Sequence, residues 1–293
     1  MKIKLLLQAL ALRGNSQRAL FWREVPFFAS IVASAFIVLS PKVSHATLLS
    51  YESFDYATGN LAGQNGGTGF TGAWATVGDS GAATVQANSL AYSTLSTTGN
   101  KTYLLPTTQT SGASRTFSDI NSGSLYMSFL ANLDEGNRFF AIRLYDGSAQ
   151  RALVGRLSTS NWMIQSTNGG NVNGFTAIAP TLDTTFLIVL RIDFNASGDN
   201  ERLRLYVNPT PGGTEPVTAG ADITSLASFQ INRLDIAAGY TTGGASTTAK
   251  GWFDEIRMGT TYADVTPIPE PSTMALFGGA AALLLLRRRR KVS

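Results

Sequence analysis

Phe186-Leu187-Ile188-Val189-Leu190-Arg191-Ile192-Asp193-Phe194 is followed, after Asn195 to Asn200, by Arg202-Leu203-Arg204-Leu205-Tyr206-Val207. Phe186, Ile188, Leu190, Ile192 and Phe194 fall on every second position, as do Leu203, Leu205 and Val207. A period of two is the spacing of a strand with one face buried. Leu187 and Val189 on the alternate positions predict a central strand whose second face is partly covered. Arg202, Arg204 and Tyr206 predict a surface face for the next strand. Ala196-Ser197-Gly198-Asp199 has the composition of a turn, so 191–207 reads as strand, turn, strand.

The same period recurs outward from this hairpin. Leu125, Met127, Phe129, Ala131 and Leu133 share one face of 124–133, and Phe140, Ile142 and Leu144 alternate with Arg143 and Tyr145. Asp146-Gly147, Asn168-Gly169-Gly170 and Asn208-Pro209-Thr210-Pro211-Gly212-Gly213 separate the runs with residues that adopt special backbone angles. Long helical periodicity is missing from the interior, which is rich in Gly, Thr, Ser and Asn. Many short strands in one block predict an all-β fold, an antiparallel sandwich or barrel, with no internal boundary.

The two ends read differently. Lys2, Lys4, Arg13, Arg18 and Arg23 precede an apolar segment, Pro26 to Leu39, and then Ser44-His45-Ala46. Basic region, apolar region and small residues around a cleavage point make a secretory signal peptide, predicted to be cut by signal peptidase after Ala46. The other end carries Pro269-Glu270-Pro271, an apolar run from Met274 to Leu286, and then Arg287, Arg288, Arg289, Arg290 and Lys291. Those 13 apolar residues extend ~20 Å as a helix, against a hydrocarbon core of ~30 Å. A span that short is a marginal permanent anchor and a suitable temporary one.

The chain's formal charge of +4 belongs to these ends. Of 23 basic and 19 acidic residues, 1–46 hold six and one, and 272–293 hold five and none, leaving 12 basic against 18 acidic, or −6. An interior with that balance and no Lys/Arg cluster makes nucleic acid an unexpected partner. Cysteine is absent and the single histidine, His45, lies in the predicted signal peptide. After processing, Ser-His-Asp and Cys-His catalysis, Cys/His zinc sites and disulfides are all excluded.

The carboxyl-terminal arrangement resembles the PEP-CTERM sorting tail of exported bacterial proteins. The resemblance implies that an exosortase-like membrane protease reads Pro269, Glu270 and Pro271, with the basic stop of Arg287, Arg288, Arg289, Arg290 and Lys291 held in the cytoplasm. It implies transient inner-membrane anchoring, then release or transfer to the cell surface or extracellular matrix. A second resemblance rests on Tyr51-Glu52-Ser53-Phe54-Asp55-Tyr56, Leu61-Ala62-Gly63-Gln64-Asn65-Gly66-Gly67, Gly72-Ala73-Trp74 and the closing Phe253-Asp254-Glu255-Ile256-Arg257-Met258-Gly259. These look like the first and last strands of a concanavalin A-like, or laminin-G-like, jelly roll, which implies that the two ends of the sandwich lie together. The expected organisation is signal peptide 1–46, β-sandwich 47–264 and sorting tail 265–293, with a signal helix and a short membrane helix at the ends.

Chemistry in the interior has few carriers. A sandwich glycosidase needs two carboxylates flanking one bond, and no Glu-x-Asp-x-Glu run is present. Asp134-Glu135 and Asp254-Glu255 are adjacent pairs, which on a regular strand point to opposite faces. Calcium is the ion to consider, through Asp134, Glu135 and Asn137 or through Asp193, Asp199 and Asn200; the plainer reading of both sets is turn capping. Trp74, Trp162, Tyr206 and Trp252, with Tyr240, are candidate contacts for a surface polysaccharide, although large aromatics in a sandwich mostly fill the core. The expectation is a non-catalytic adhesion or glycan-contact protein. The alternatives are an exported polysaccharide hydrolase using dispersed carboxylates and a purely structural matrix component.

Overall fold

A computed structural model describes residues 48–269, apart from 137, 159, 198, 199 and 242–246. In chain order the strands are β1 Leu48–Glu52, β2 Gly59–Asn60, β3 Ala75–Val77, β4 Ala83–Gln86, β5 Lys101–Leu104, β6 Ser111–Ile120 and β7 Gly123–Gly136. They continue as β8 Phe140–Asp146, β9 Ala149–Arg156, β10 Met163–Ser166, β11 Val172–Phe175 and β12 Thr185–Ser197. The last are β13 Asn200–Val207, β14 Ala221–Ala227, β15 Ile231–Ala238, β16 Tyr240–Thr241 and β17 Thr247–Gly259, followed by a short helix, α1 Tyr262–Val265. Ser44, Ala46, both predicted terminal helices, Glu270, Pro271 and the basic stop lie outside the described residues.

Among the described residues, two antiparallel sheets form the sandwich. The larger runs β14-β13-β12-β7-β17-β5-β4-β2, with β1 and β16 also on β17, and the smaller runs β11-β10-β9-β8-β15-β6-β3. The fold is all-β, a jelly-roll-type sandwich. Leu48 to Glu52 pairs with Gly259 to Ile256, so the first and last strands are neighbours, as the second resemblance implies. The residues alternating through β7, β8 and β12 meet between the sheets: Met127, Phe129, Leu133, Phe140, Ile142, Ile188 and Leu190 are all sealed from solvent. The predicted hairpin of β12 and β13 is present, from Ile188 opposite Val207 to Ser197 opposite Asn200.

The second face of β12 is covered, as Leu187 and Val189 predict. They join Leu130, Tyr126, Leu90, Leu95 and α1's Tyr262 and Val265 in a smaller cluster on the outer side of the larger sheet. Tyr206 belongs to the same cluster and is 3% exposed, which corrects its reading as a surface residue. The alternation of β13 placed it on the correct face, but that face is roofed by the segment after the strand.

Asp254 and Glu255 correct another expectation. Asp254 lies opposite Leu130 and Arg257 opposite Ser128, so β17 carries one extra residue across that interval. Glu255 absorbs the bulge with φ of 53°, and both carboxylates turn to the same side, toward the segment 89–98. Asp254 accepts from Ser89 Oγ at 2.6 Å, Leu90 N at 2.7 Å and Glu255 N at 2.7 Å. Glu255 accepts from Tyr51 Oη at 2.9 Å and Thr98 N at 2.5 Å, and pairs with Arg257. Two buried acids therefore clamp one loop onto the sheet.

Burial, with the neighbouring Glu255 charge adding to it, pushes the Asp254 carboxyl up to about 8. The unfolded chain loses this proton near pH 4, whereas the folded one keeps it to about 8, so raising the pH through that window favours unfolding. The contribution is complete below about pH 4 and lost as pH passes about 8, at up to about 1.4 kcal/mol per pH unit for one proton. Urea melts between pH 5 and 8.5 are expected to show a downward slope that Asp254→Asn flattens; equal slopes in parent and variant would refute the assignment.

Candidate functional site

The open part of the larger sheet's outer face carries one cross-strand row. Register aligns Thr185 of β12 with Asn132 of β7, Asn132 with Trp252 of β17, and Trp252 with Tyr103 of β5. It continues from Tyr103 to Thr84 of β4 and from Thr84 to Asn60 of β2. Each of the six is at least partly exposed. At ~4.8 Å between strands, the row is about 24 Å long. Two aromatic rings sit at its centre, with hydroxyl and amide side chains on either side.

The rings are held, not loose. Trp252 and Tyr103 lie 4.8 Å apart at 43°. Trp252 Nε1 donates to Gln86 Oε1 at 2.7 Å and Tyr103 Oη to Asp134 Oδ2 at 2.6 Å. Burial, with Asp134 next, raises the Tyr103 hydroxyl above its ordinary value, so it stays a donor at any physiological pH. Asn132 Nδ2 donates to Thr185 at 3.3 Å, while its buried Oδ1 has no partner. The row thus offers ring faces flanked by hydroxyl and amide side chains.

A second polar region lies toward β12 and β13. A cleft of about 440 Å³ is lined by Ser124, Tyr126, Glu215 and Thr260 to Ala263, and a neighbouring one of about 350 Å³ by Ser124, Arg191, Asp193, Arg202 and Arg204. Its charges are already partnered. Glu215 accepts from Tyr126 Oη and Tyr206 Oη, both at 2.6 Å, and from Arg191 Nη1 at 2.9 and 2.8 Å. Asp193 accepts from Ser124 Oγ, Arg191 Nε and Arg204 Nη2, each at 2.7 Å. Arg202 pairs with Asp222. The hydrogen bonding explains this region as the pin that fastens the segment carrying Glu215 over the sheet.

Of the aromatic candidates, Trp252 alone joins the row. Trp74 is 2% and Trp162 0% exposed, because both occupy inward positions of the sandwich, and a sugar ring has no access to stack on either. Tyr206 spends its hydroxyl on Glu215 beneath the covered face. The calcium candidates are also separated. Asp134 serves Tyr103, Glu135 pairs with Lys250 at 2.9 Å, Asp193 is held by two arginines, and Asp199 and Asn137 lie outside the described residues. Among the described residues no three His, Cys, Asp or Glu side chains gather as a metal cage. Tyr103, Asn132, Thr84, Asn60, Thr185 and Gln86 were missed by sequence reasoning. The row exists through pairing between distant strands, which no single segment announces.

The model of the PEP-CTERM protein-sorting motif matches residues 267–290.

The chain carries a PEP-CTERM sorting motif.

That motif marks an exported protein and implies processing by an exosortase-type protease. No curated protein matches the sequence. Among solved structures, the chain is similar to domain 4 of AbnA, a GH43 extracellular arabinanase from Geobacillus stearothermophilus in complex with arabinotriose. Identity there is 14%, with 76% of this chain and 100% of that one covered and a TM-score of 0.47. A family 16 glycosyl hydrolase protein from Mycobacterium smegmatis is 10% identical over 72% of this chain and 100% of that one, at a TM-score of 0.40. A sialidase is 10% identical over 75% of this chain but only 19% of its own length, at a TM-score of 0.45.

Proposed function

We propose that this PEP-CTERM protein is held briefly in the membrane by its tail, passed by an exosortase-type protease to the cell surface or extracellular matrix, and there contacts glycan without turning it over. The observation that carries the second half is the Trp252–Tyr103 pair, partly exposed at the centre of a row of polar side chains. Ring faces favour the apolar faces of sugar rings, and flanking amides and hydroxyls hydrogen-bond sugar hydroxyls. Absence of turnover is supported by the fate of the nearby acids, since Asp134 is bound by Tyr103 and Glu135 by Lys250. Neither is paired with a second carboxylate across a cleft, as glycoside hydrolysis requires.

Binding of the full chain in detergent to neutral and acidic glycan panels tests this reading. Trp252→Ala is expected to weaken binding at least tenfold, about 1.4 kcal/mol, and Tyr103→Phe by less, with folding checked by thermal melting. Unchanged binding in both variants would remove the row from consideration. Release of new reducing ends, abolished by one carboxylate substitution, would instead establish the hydrolase alternative.

A further inference from the structure

The chain leaves the sandwich from the outer face of the larger sheet. Val265 of α1 belongs to the cluster on that face, and its carbonyl accepts from Ser128 Oγ of β7 at 2.6 Å. Thr266 is fully buried; its carbonyl accepts from Gly212 N at 2.7 Å, and the Pro267 carbonyl accepts from Ser96 N at 2.9 Å. Ile268 packs on Gly212, where a Cβ would lie 2.7 Å from Ile268 Cγ2. Ser96 belongs to the segment that Asp254 and Glu255 clamp, and its own carbonyl accepts from Arg257 Nη2 at 2.5 Å. The chain is therefore fastened to this face as far as Ile268, the residue before Pro269. The sandwich also begins on this face, since Leu48 packs against the same cluster, two residues after the predicted signal-peptide cut at Ala46.

Little chain is left between this fastening and the bilayer. Met274, the first residue of the apolar run, comes seven residues after Pro267, a span of at most about 25 Å when fully extended. β7, which holds Val265, is the fourth strand in from the β14 edge of its sheet. At ~4.8 Å between strands and ~10 Å between sheets, a path round that edge to the far side of the sandwich takes about 24 Å before any side chain is counted. The tether reaches a membrane lying under the outer face of the larger sheet, and any path to the outer face of the smaller sheet uses it up. Trp252 packs against the same cluster, which places the row of Trp252 and Tyr103 beside the exit.

We infer that this short tether turns the outer face of the larger sheet, with its row, toward the lipid surface for as long as the tail is embedded, and the smaller sheet away from it. Cutting the tail then frees that face. The consequence, a glycan-contact row withheld from extracellular polymer until release, rests on the reading proposed above. The orientation itself rests on the fastening of Thr266 to Ile268 and on the length of chain that follows.

The chain has no cysteine, so a single introduced thiol reports on each face. Asn60→Cys lies at the end of the row, and Asn173→Cys lies on the outward side of β11, whose Gly174 faces the core residues Ile164 and Ile223; both positions are exposed. Each full-chain variant is reconstituted into phosphatidylcholine–phosphatidylglycerol vesicles carrying an acceptor dye on the lipid headgroup, then labelled with a membrane-impermeant donor fluorophore. Energy transfer is expected to be at least about twofold stronger from position 60 than from position 173, because the two outer faces are separated by more than the ~10 Å between sheets. Inserting twenty Gly/Ser residues between Ile268 and Pro269, a coil of about 25 Å, is expected to remove the difference. Should Asn60→Cys not fold, Thr214→Cys, in the cleft beside the exit, takes its place. Equal transfer from the two faces, stronger transfer from position 173, or a difference that survives the insertion overturns the assignment. No sugar enters this measurement, so its failure leaves the chemistry of the row standing, and a row that binds no glycan leaves the orientation standing.

Discussion

Glu52→Ala is expected to destabilise the sandwich by about 3–5 kcal/mol, the range for breaking a buried ion pair by removing one partner. Glu52 is 1% exposed and its carboxylate is the meeting point of the amino-terminal segment. It accepts from Phe54 N at 2.8 Å, Tyr56 Oη at 2.7 Å and Trp74 Nε1 at 2.9 Å, and it pairs with Arg115. Arg115, 2% exposed, also donates to Gly66 O at 2.6 Å and Gly72 O at 2.9 Å. Removing the carboxylate strands a guanidinium, an indole N–H and a phenol in the core. At about 2–4 °C per kcal/mol for a domain of this size, the drop in Tm is about 6–20 °C. A loss below about 1 kcal/mol in urea melts would mean that the network holds nothing.

That network also explains the opening motif. Gly67 sits at φ +67°, and a Cβ there would fall 2.6 Å from Tyr51 O. Only glycine lets the chain pass so close to β1 while Gly66 turns its carbonyl to Arg115. The residues that suggested a jelly roll are therefore its buried fastening, which is why they spoke of fold and carried no binding information.

Replacing Pro269, Glu270 and Pro271 by alanine is expected to leave the protein wholly in the membrane fraction, the largest change in location foreseen for this chain. The apolar run behind the motif is short of a bilayer's hydrocarbon core, and five basic residues resist translocation. Prolines on both sides of Glu270 are expected from the sequence to keep a helix from running upstream, which would leave the acid extended outside the membrane. Intact mass of the protein from the producing cell is expected to begin at Thr47 and end near Pro271, and the alanine variant to retain Arg287 to Lys291. A parent mass that keeps the basic tail, or a variant released like the parent, would reduce the carboxyl terminus to a plain anchor.

Which parts were legible follows from range of interaction. Leu125 to Leu133 and Phe186 to Phe194 announced their buried face because alternation is a property of one strand. Tyr206 was misread because the roof over it comes from Glu215 and α1, which its own neighbours do not reveal. Asp254 and Glu255 were placed on opposite faces because a regular strand requires it, and one extra residue in β17 reversed that. Trp252 was named for its type, whereas Tyr103, Thr84 and Asn60 had no signal of their own.

By itself the sequence determined the class of fold, the absence of imidazole and thiol chemistry from the interior, and the charge-marked ends that speak of export. Those properties are local, set by period, composition and short motifs. Tertiary structure alone decided which side chains meet: the row from Thr185 to Asn60 and the clamp on 89–98. Strand register and a single bulge choose neighbours across tens of residues, and neither is written in any one segment.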